Sequence, residues 1–103
     1  MAVNILHTDG RFYTETEYGE AELLYKVLEG NIMSIHHTFV PEQARGMGLA
    51  AELASEAFKF AREMGYKVRP DCPYILYFVE KHPELKSQTL PADQPSGESC
   101  DIR

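Results

Sequence analysis

Residues 43–50 read QARGMGLA, and two glycines flanking a methionine directly behind an arginine are the first place where chemistry is written into this chain. Glycine is the costliest ordinary residue inside a helix, yet Gly46 and Gly48 stand at the head of a long helical pattern, so stability is given up there for backbone geometry. A strand, a glycine-bearing turn and a helix N-terminus together make an anion site. The first backbone N–H groups have no partner inside the helix and point along the positive end of its dipole, and missing side chains let a phosphate reach them. Three ligand classes use this device. A P-loop is excluded, because no Gly-Lys-Ser/Thr follows the glycines. A dinucleotide fits formally: GMGLAA matches GxGxxA, and Asp71 lies 25 positions after Gly46, where a ribose-binding acid could sit. Against it, a dinucleotide turn follows a buried parallel strand almost at once, whereas PEQAR intervenes here, and the chain is too short for a doubly wound sheet.

Cys72 opens the segment CPYILYFVEKHPEL, with Pro73 at the first helical position. A thiol at a helix N-cap sits where the dipole and free N–H groups favour thiolate, which makes it more reactive than a buried cysteine; the bland reading is a small residue filling space. His36 and His37 are neighbours on a strand, so only one of them can face a site, and a structural hydrogen-bonded role competes with that of a base. His7 and His82 have no special context. No set of three or four convergent metal ligands is visible, so no metal is expected.

The elements that must position these residues follow from periodicity. VNILHT, RFYTET, AELLYKVLE and IMSIHHTFV read as four antiparallel strands, with Asp9-Gly10 and Gly30-Asn31 supplying the positive φ of tight hairpins. From Gly46 to Met64 the positions Leu49, Leu53, Ala57, Phe60, Ala61 and Met64 form one apolar helical stripe, closed by Gly65. YKVRP then predicts a fifth strand beside the fourth, and the Cys72 segment a second helix that stops before Pro83. The order is β-β-β-β-α-β-α. From about Ser87 the chain is polar and rich in Pro and Ser, which predicts one domain over 1–86 and a disordered tail over 87–103.

Composition narrows the partners. With 103 residues the chain holds one core and has no run approaching the roughly 20 apolar residues that span a bilayer. The N-terminus lacks a signal-peptide pattern, so a cytoplasmic location is expected, with Cys72 and Cys100 as reduced thiols. A net charge of −6 opposes nucleic acid and anionic lipid and is compatible with an amine or a basic peptide.

Arg45-Gly46-Met47-Gly48-Leu49-Ala50 resembles the R/Q-x-x-G-x-G/A signature of the GNAT acyltransferase superfamily. HTFVP at 37–41, AREMGYKVRP at 61–70, CPYI at 72–75 and HPEL at 82–85 extend the resemblance to the small YjdJ-type single-domain acetyltransferases over roughly residues 3–86. It implies an α+β fold with a twisted, mostly antiparallel sheet whose fourth and fifth strands are parallel and splay around an acetyl-CoA site. It implies that the backbone of Arg45, Gly46, Met47, Gly48, Leu49 and Ala50 holds the pyrophosphate, with Val40 near the pantetheine and acetyl group. Arg45 either adds charge there or is an ordinary solvated arginine. The resemblance also places Cys72 near the thioester, as nucleophile or as the acid that protonates the departing thiolate, with Tyr74 the rival donor and His37 the family's histidine before threonine. Two departures stand out. Phe39 replaces an acid that related sequences often carry, and the N-terminal helices that wall the acceptor site are missing, which predicts an open acceptor groove. The expected activity is acetyl-CoA-dependent N-acetyl transfer to an unidentified amine, by a monomer or weak homodimer. The rival is a non-catalytic acyl-CoA-binding or interaction module, and a nicotinamide nucleotide is the third reading.

Overall fold

The computed structural model describes residues 4–90. Its strands are β1 (Leu6–Thr8), β2 (Arg11–Thr16), β3 (Gly19–Leu28), β4 (Ile32–Phe39) and β5 (Lys67–Pro70), and its helices are α1 (Leu49–Met64) and α2 (Pro73–Lys81). The five strands form one sheet in sequence order, antiparallel from β1 to β4 and parallel between β4 and β5. This is the α+β architecture and the strand order expected from the sequence. Gly10, Gly30 and Asn31 do take the positive φ that the hairpin turns require.

The two glycines lie outside the helix they were expected to open. Pro41 ends β4, a 3₁₀ turn follows over Glu42–Ala44, and Gly48 is the left-handed N-cap of α1. Helix α1 buries Leu49, Leu53, Ala57 and Ala61 as the periodicity predicts, and Ala50, Ala54 and Phe58 besides. The wider arc has a physical reason: α1 packs on the sheet and also against α2, where Phe58 stacks on Phe78 with ring centroids 5.9 Å apart. Phe60 is only partly buried, against Phe12 and Tyr25, and Met64 is exposed.

Two irregularities shape the site. The β3–β4 register passes from Leu24↔His37 to Tyr25↔Ile35, leaving His36 as an extra residue on β4. Such a bulge breaks the strict alternation on which the expected opposition of His36 and His37 rested, and burial passes from Met33 and Ile35 to Thr38 and, just past the strand, Val40. On the other side, the β4–β5 ladder ends at Ile35↔Pro70, and the Asp71 N–H bonds the Ile35 carbonyl at 3.0 Å before the chain turns away into α2. Strand β4 runs on past that point to Phe39. The two parallel strands therefore part company as the resemblance implied.

The fold continues past residue 86. A 3₁₀ segment covers Pro83–Gln88, Thr89 bridges Val68 in parallel, and the Leu90 N–H bonds the Val68 carbonyl at 2.7 Å. The greater part of the expected tail, 91–103, lies outside the described residues.

Candidate active site

Past the end of β4, a cleft of about 260 Å3 opens between the 45–50 segment and α2. Val40, Leu49 and Ala50 give it an apolar floor, Arg45, Gly46 and Gly48 form one rim, and Tyr74 and Tyr77 of α2 form the opposite wall. The backbone of the rim is bare. Gly46 and Gly48 have φ of +88° and +80°, and a Cβ placed on either would meet no atom within 4 Å. Positive φ explains why these positions are glycine, and the empty space above them explains what the geometry permits: direct approach of a ligand to the N–H groups.

Those N–H groups are available. Within α1 the Glu52 N–H reaches back to the Gly48 carbonyl at 3.0 Å, and no side chain caps the helix at Gly48, so the amides of its first turn are left for an outside acceptor. The Arg45 Nε donates to the Val40 carbonyl at 2.9 Å, which ties the rim to the end of β4 and holds the guanidinium beside the cleft. These residues fit a pyrophosphate. Met47 differs from its neighbours: it lines a second groove, shared with Leu49, and is not part of the lining of this cleft.

The residues expected to act on the acetyl group are not all brought together. Tyr74 lines the cleft, and burial, then Tyr77, raises its hydroxyl above the ordinary tyrosine value. Cys72 is the N-cap of α2 as predicted, but it is fully buried, outside the cleft lining, with the Thr38 Oγ1 at 3.5 Å from its sulfur. It also carries a disulfide, which overturns the expectation of a reduced thiol at this position; Cys100 lies outside the described residues. His37 is partly buried on β4, away from the lining. Asp71, the acid a nucleotide ribose would require, is spent elsewhere: its carboxylate accepts from the Ser34 hydroxyl and from the Arg69 Nε at 2.8 Å. Sequence reasoning missed Tyr77, whose exposed ring completes the wall three residues after Tyr74. The YxxY spacing, one helical turn, is the signal that could have found it.

Residues 11–88 match the family model of the GCN5-related N-acetyltransferases. The chain belongs to that family. Over 66 residues it is 36% identical to protein NATD1 of Bos taurus, a stretch covering 64% of this chain and 58% of that one. NATD1 of Mus musculus is likewise 36% identical, over 60% of its length, so the chain spans less than two thirds of these relatives. A GCN5-like protein from Staphylococcus aureus, solved in solution, superposes with a TM-score of 0.67 over 89% of this chain and 92% of that one; at 22% identity it shows the shared fold. Acetyl transfer from acetyl-CoA is the family's kind of reaction, and the bare amide rim of this GCN5-related chain stands where the signature lies. Among the described residues no helix is long and apolar enough to cross a membrane, and no cluster of metal-ligating side chains is present.

Proposed function

We propose that this chain transfers an acetyl group from acetyl-CoA to an amine, with the 45–50 segment holding the coenzyme's pyrophosphate. The observation that carries the reading is the open backbone at Gly46 and Gly48 ahead of an uncapped helix, lining a cleft with an apolar floor. When bound, the coenzyme supplies the acetyl group as a thioester. In the net reaction the N–C bond forms, the C–S bond breaks and one proton passes from the amine nitrogen to the departing sulfur, so no further reactant is needed.

The protein's part is orientation and hydrogen bonding. Arg45 and the first amides of α1 fix the phosphate end. The β4–β5 ladder ends at Ile35↔Pro70, so an acyl group can approach the end of β4, toward Phe39, where β5 no longer lies beside it. Tyr74, a neutral phenol whose ionisation burial disfavours further, donates a hydrogen bond toward the sulfur. Cys72 can share that role only as the reduced thiol and only if uncovered; His37 would act from outside the cleft lining.

One observation favours the second reading, a binding module without efficient transfer: among the described residues that line the cleft there is no carboxylate and no imidazole to take the amine's proton. Thermal unfolding with CoA, acetyl-CoA and NADH, followed by acetylation of a mixed amine pool, separates the readings. At about 100 times its Kd a ligand adds roughly 2.7 kcal/mol to the native state, on the order of 10 °C for a domain this size. Stabilisation by both CoA forms and not by NADH, with turnover above the uncatalysed rate, is the expected result. Stabilisation without turnover would leave the binding module.

A further inference from the structure

The sequence contains two cysteines, Cys72 and Cys100. Cys72 is disulfide-bonded, so a bond closed within one chain joins it to Cys100. The reach is sufficient. Leu90 is tied to β5 by the bond from its N–H to the Val68 carbonyl, and Cys72 follows Val68 by four residues, roughly 13 Å at full extension. The ten residues from Leu90 to Cys100 extend to roughly 33 Å, more than twice that distance.

The setting of the Cys72 sulfur makes the bond more than a staple. Cys72 is the N-cap of α2, and its sulfur lies 3.5 Å from the Thr38 Oγ1 on β4, so it touches both elements that shape the cleft. Val40 of the cleft floor follows Thr38 by two residues, and Tyr74 of the cleft wall follows Cys72 by two. The exchange chemistry is directional as well. Cys72 is fully buried, so an outside thiolate has to attack the Cys100 sulfur, and Cys72 is the sulfur that leaves. It leaves at the head of a helix, where the dipole favours negative charge, and a better leaving thiolate opens the bond faster.

We propose that a Cys72–Cys100 disulfide is a reversible redox switch on the cleft. A small dithiol opens it: two electrons and two protons pass from the dithiol to the two cysteine sulfurs, the protein's S–S bond breaks, and the reductant closes its own. In the open form Cys72 regains a thiol beside Thr38, and residue 100 is released from the head of α2. In the closed form that sulfur carries no proton, and residue 100 is anchored beside the cleft wall. As a statement about the bond the inference stands apart from the acetyl-transfer reading; as a statement about control of turnover it rests on it.

The test begins with tryptic mapping of the full chain, purified without reductant and with free thiols blocked. Peptide 68–81 linked to peptide 87–103 is expected, giving way on reduction to the two separate peptides. Brief exposure to a small monothiol should place the mixed disulfide on 87–103. Reduction should lower Tm by on the order of 10 °C, since a loop of this length is released in the unfolded chain. It should also raise acetyl turnover about fivefold or more. Cys100→Ser should match the reduced chain in both respects, with or without reductant. Absence of the linked peptide, or a bond between two chains, overturns the proposal. A lower Tm with unchanged turnover overturns the switch and leaves a staple. Should neither form turn over, the acetyl-transfer reading fails by itself, and CoA affinity decides the switch: about fivefold tighter binding in the reduced form upholds it, and equal binding ends it.

Discussion

At the scale of single residues, the decisive comparison is between two glycines with the same backbone strain and different surroundings. Gly48 and Gly65 both take a left-handed φ, +80° and +78°, and neither has an atom within 4 Å of an added Cβ. Alanine at either should therefore cost about 1–2 kcal/mol, lowering Tm by several degrees. Only Gly48 lines the cleft, so Gly48→Ala should also weaken CoA binding tenfold or more, while Gly65→Ala at the far end of α1 leaves it unchanged. Equal CoA affinity in the two variants would reduce the glycine pair to a turn. Tyr74 allows a second prediction. Tyr74→Phe keeps the ring against Tyr77 and Phe78 and removes only the hydroxyl, so turnover should fall by about a hundredfold with CoA affinity preserved. Cys72 gives a third, because a disulfide sulfur has no proton to donate and no free thiolate to attack. Reductant should raise turnover in the native chain if Cys72 takes part, and have no effect in Cys72→Ala; equal responses would remove Cys72 from the chemistry.

At the scale of elements, the site depends on how the parallel strands separate. Asp71 manages that separation: 8% exposed, it receives the Ser34 hydroxyl from β4 and the Arg69 guanidinium from β5, one residue before α2 begins at its Cys72 cap. Asp71→Ala would strand a buried hydroxyl and a partly exposed guanidinium, and should cost about 1–3 kcal/mol in urea unfolding. The strand meander and α1 were legible beforehand, since Asp9-Gly10, Gly30-Asn31 and a 3.6-residue period are local signals. So was the glycine rim, for the same reason. The second buried row of α1, Ala54 and Phe58, was not, because it is dictated by α2, which arrives later in the chain and packs from another direction. The bulge at His36 was hidden too, since it is a property of the pairing with β3 and leaves no mark on β4 alone. The polar composition of 87–90 concealed that Thr89 adds a bridge to Val68 and that the Ser87 carbonyl accepts from the Lys67 Nζ at 2.7 Å. Backbone pairing does not require apolar side chains.

At the scale of the whole molecule, a net charge of −6 surrounds a cleft read as the seat of an anion. The contradiction is resolved by range. Amide dipoles and one guanidinium act over a few ångströms inside the cleft, whereas the repulsion comes from carboxylates spread over the surface and is carried through solvent. Raising ionic strength from about 0.01 to 0.15 M shortens the screening length from roughly 30 to 8 Å, which removes most of the distant repulsion and little of the contact with the amides. CoA affinity should therefore hold steady or tighten with added salt. Calorimetric titration of CoA at the two salt concentrations would check this. Loss of affinity with added salt would mean that CoA is held by exposed cations rather than by the bare backbone at Gly46 and Gly48. In that case the glycine rim would lose its assigned role even if the coenzyme binds.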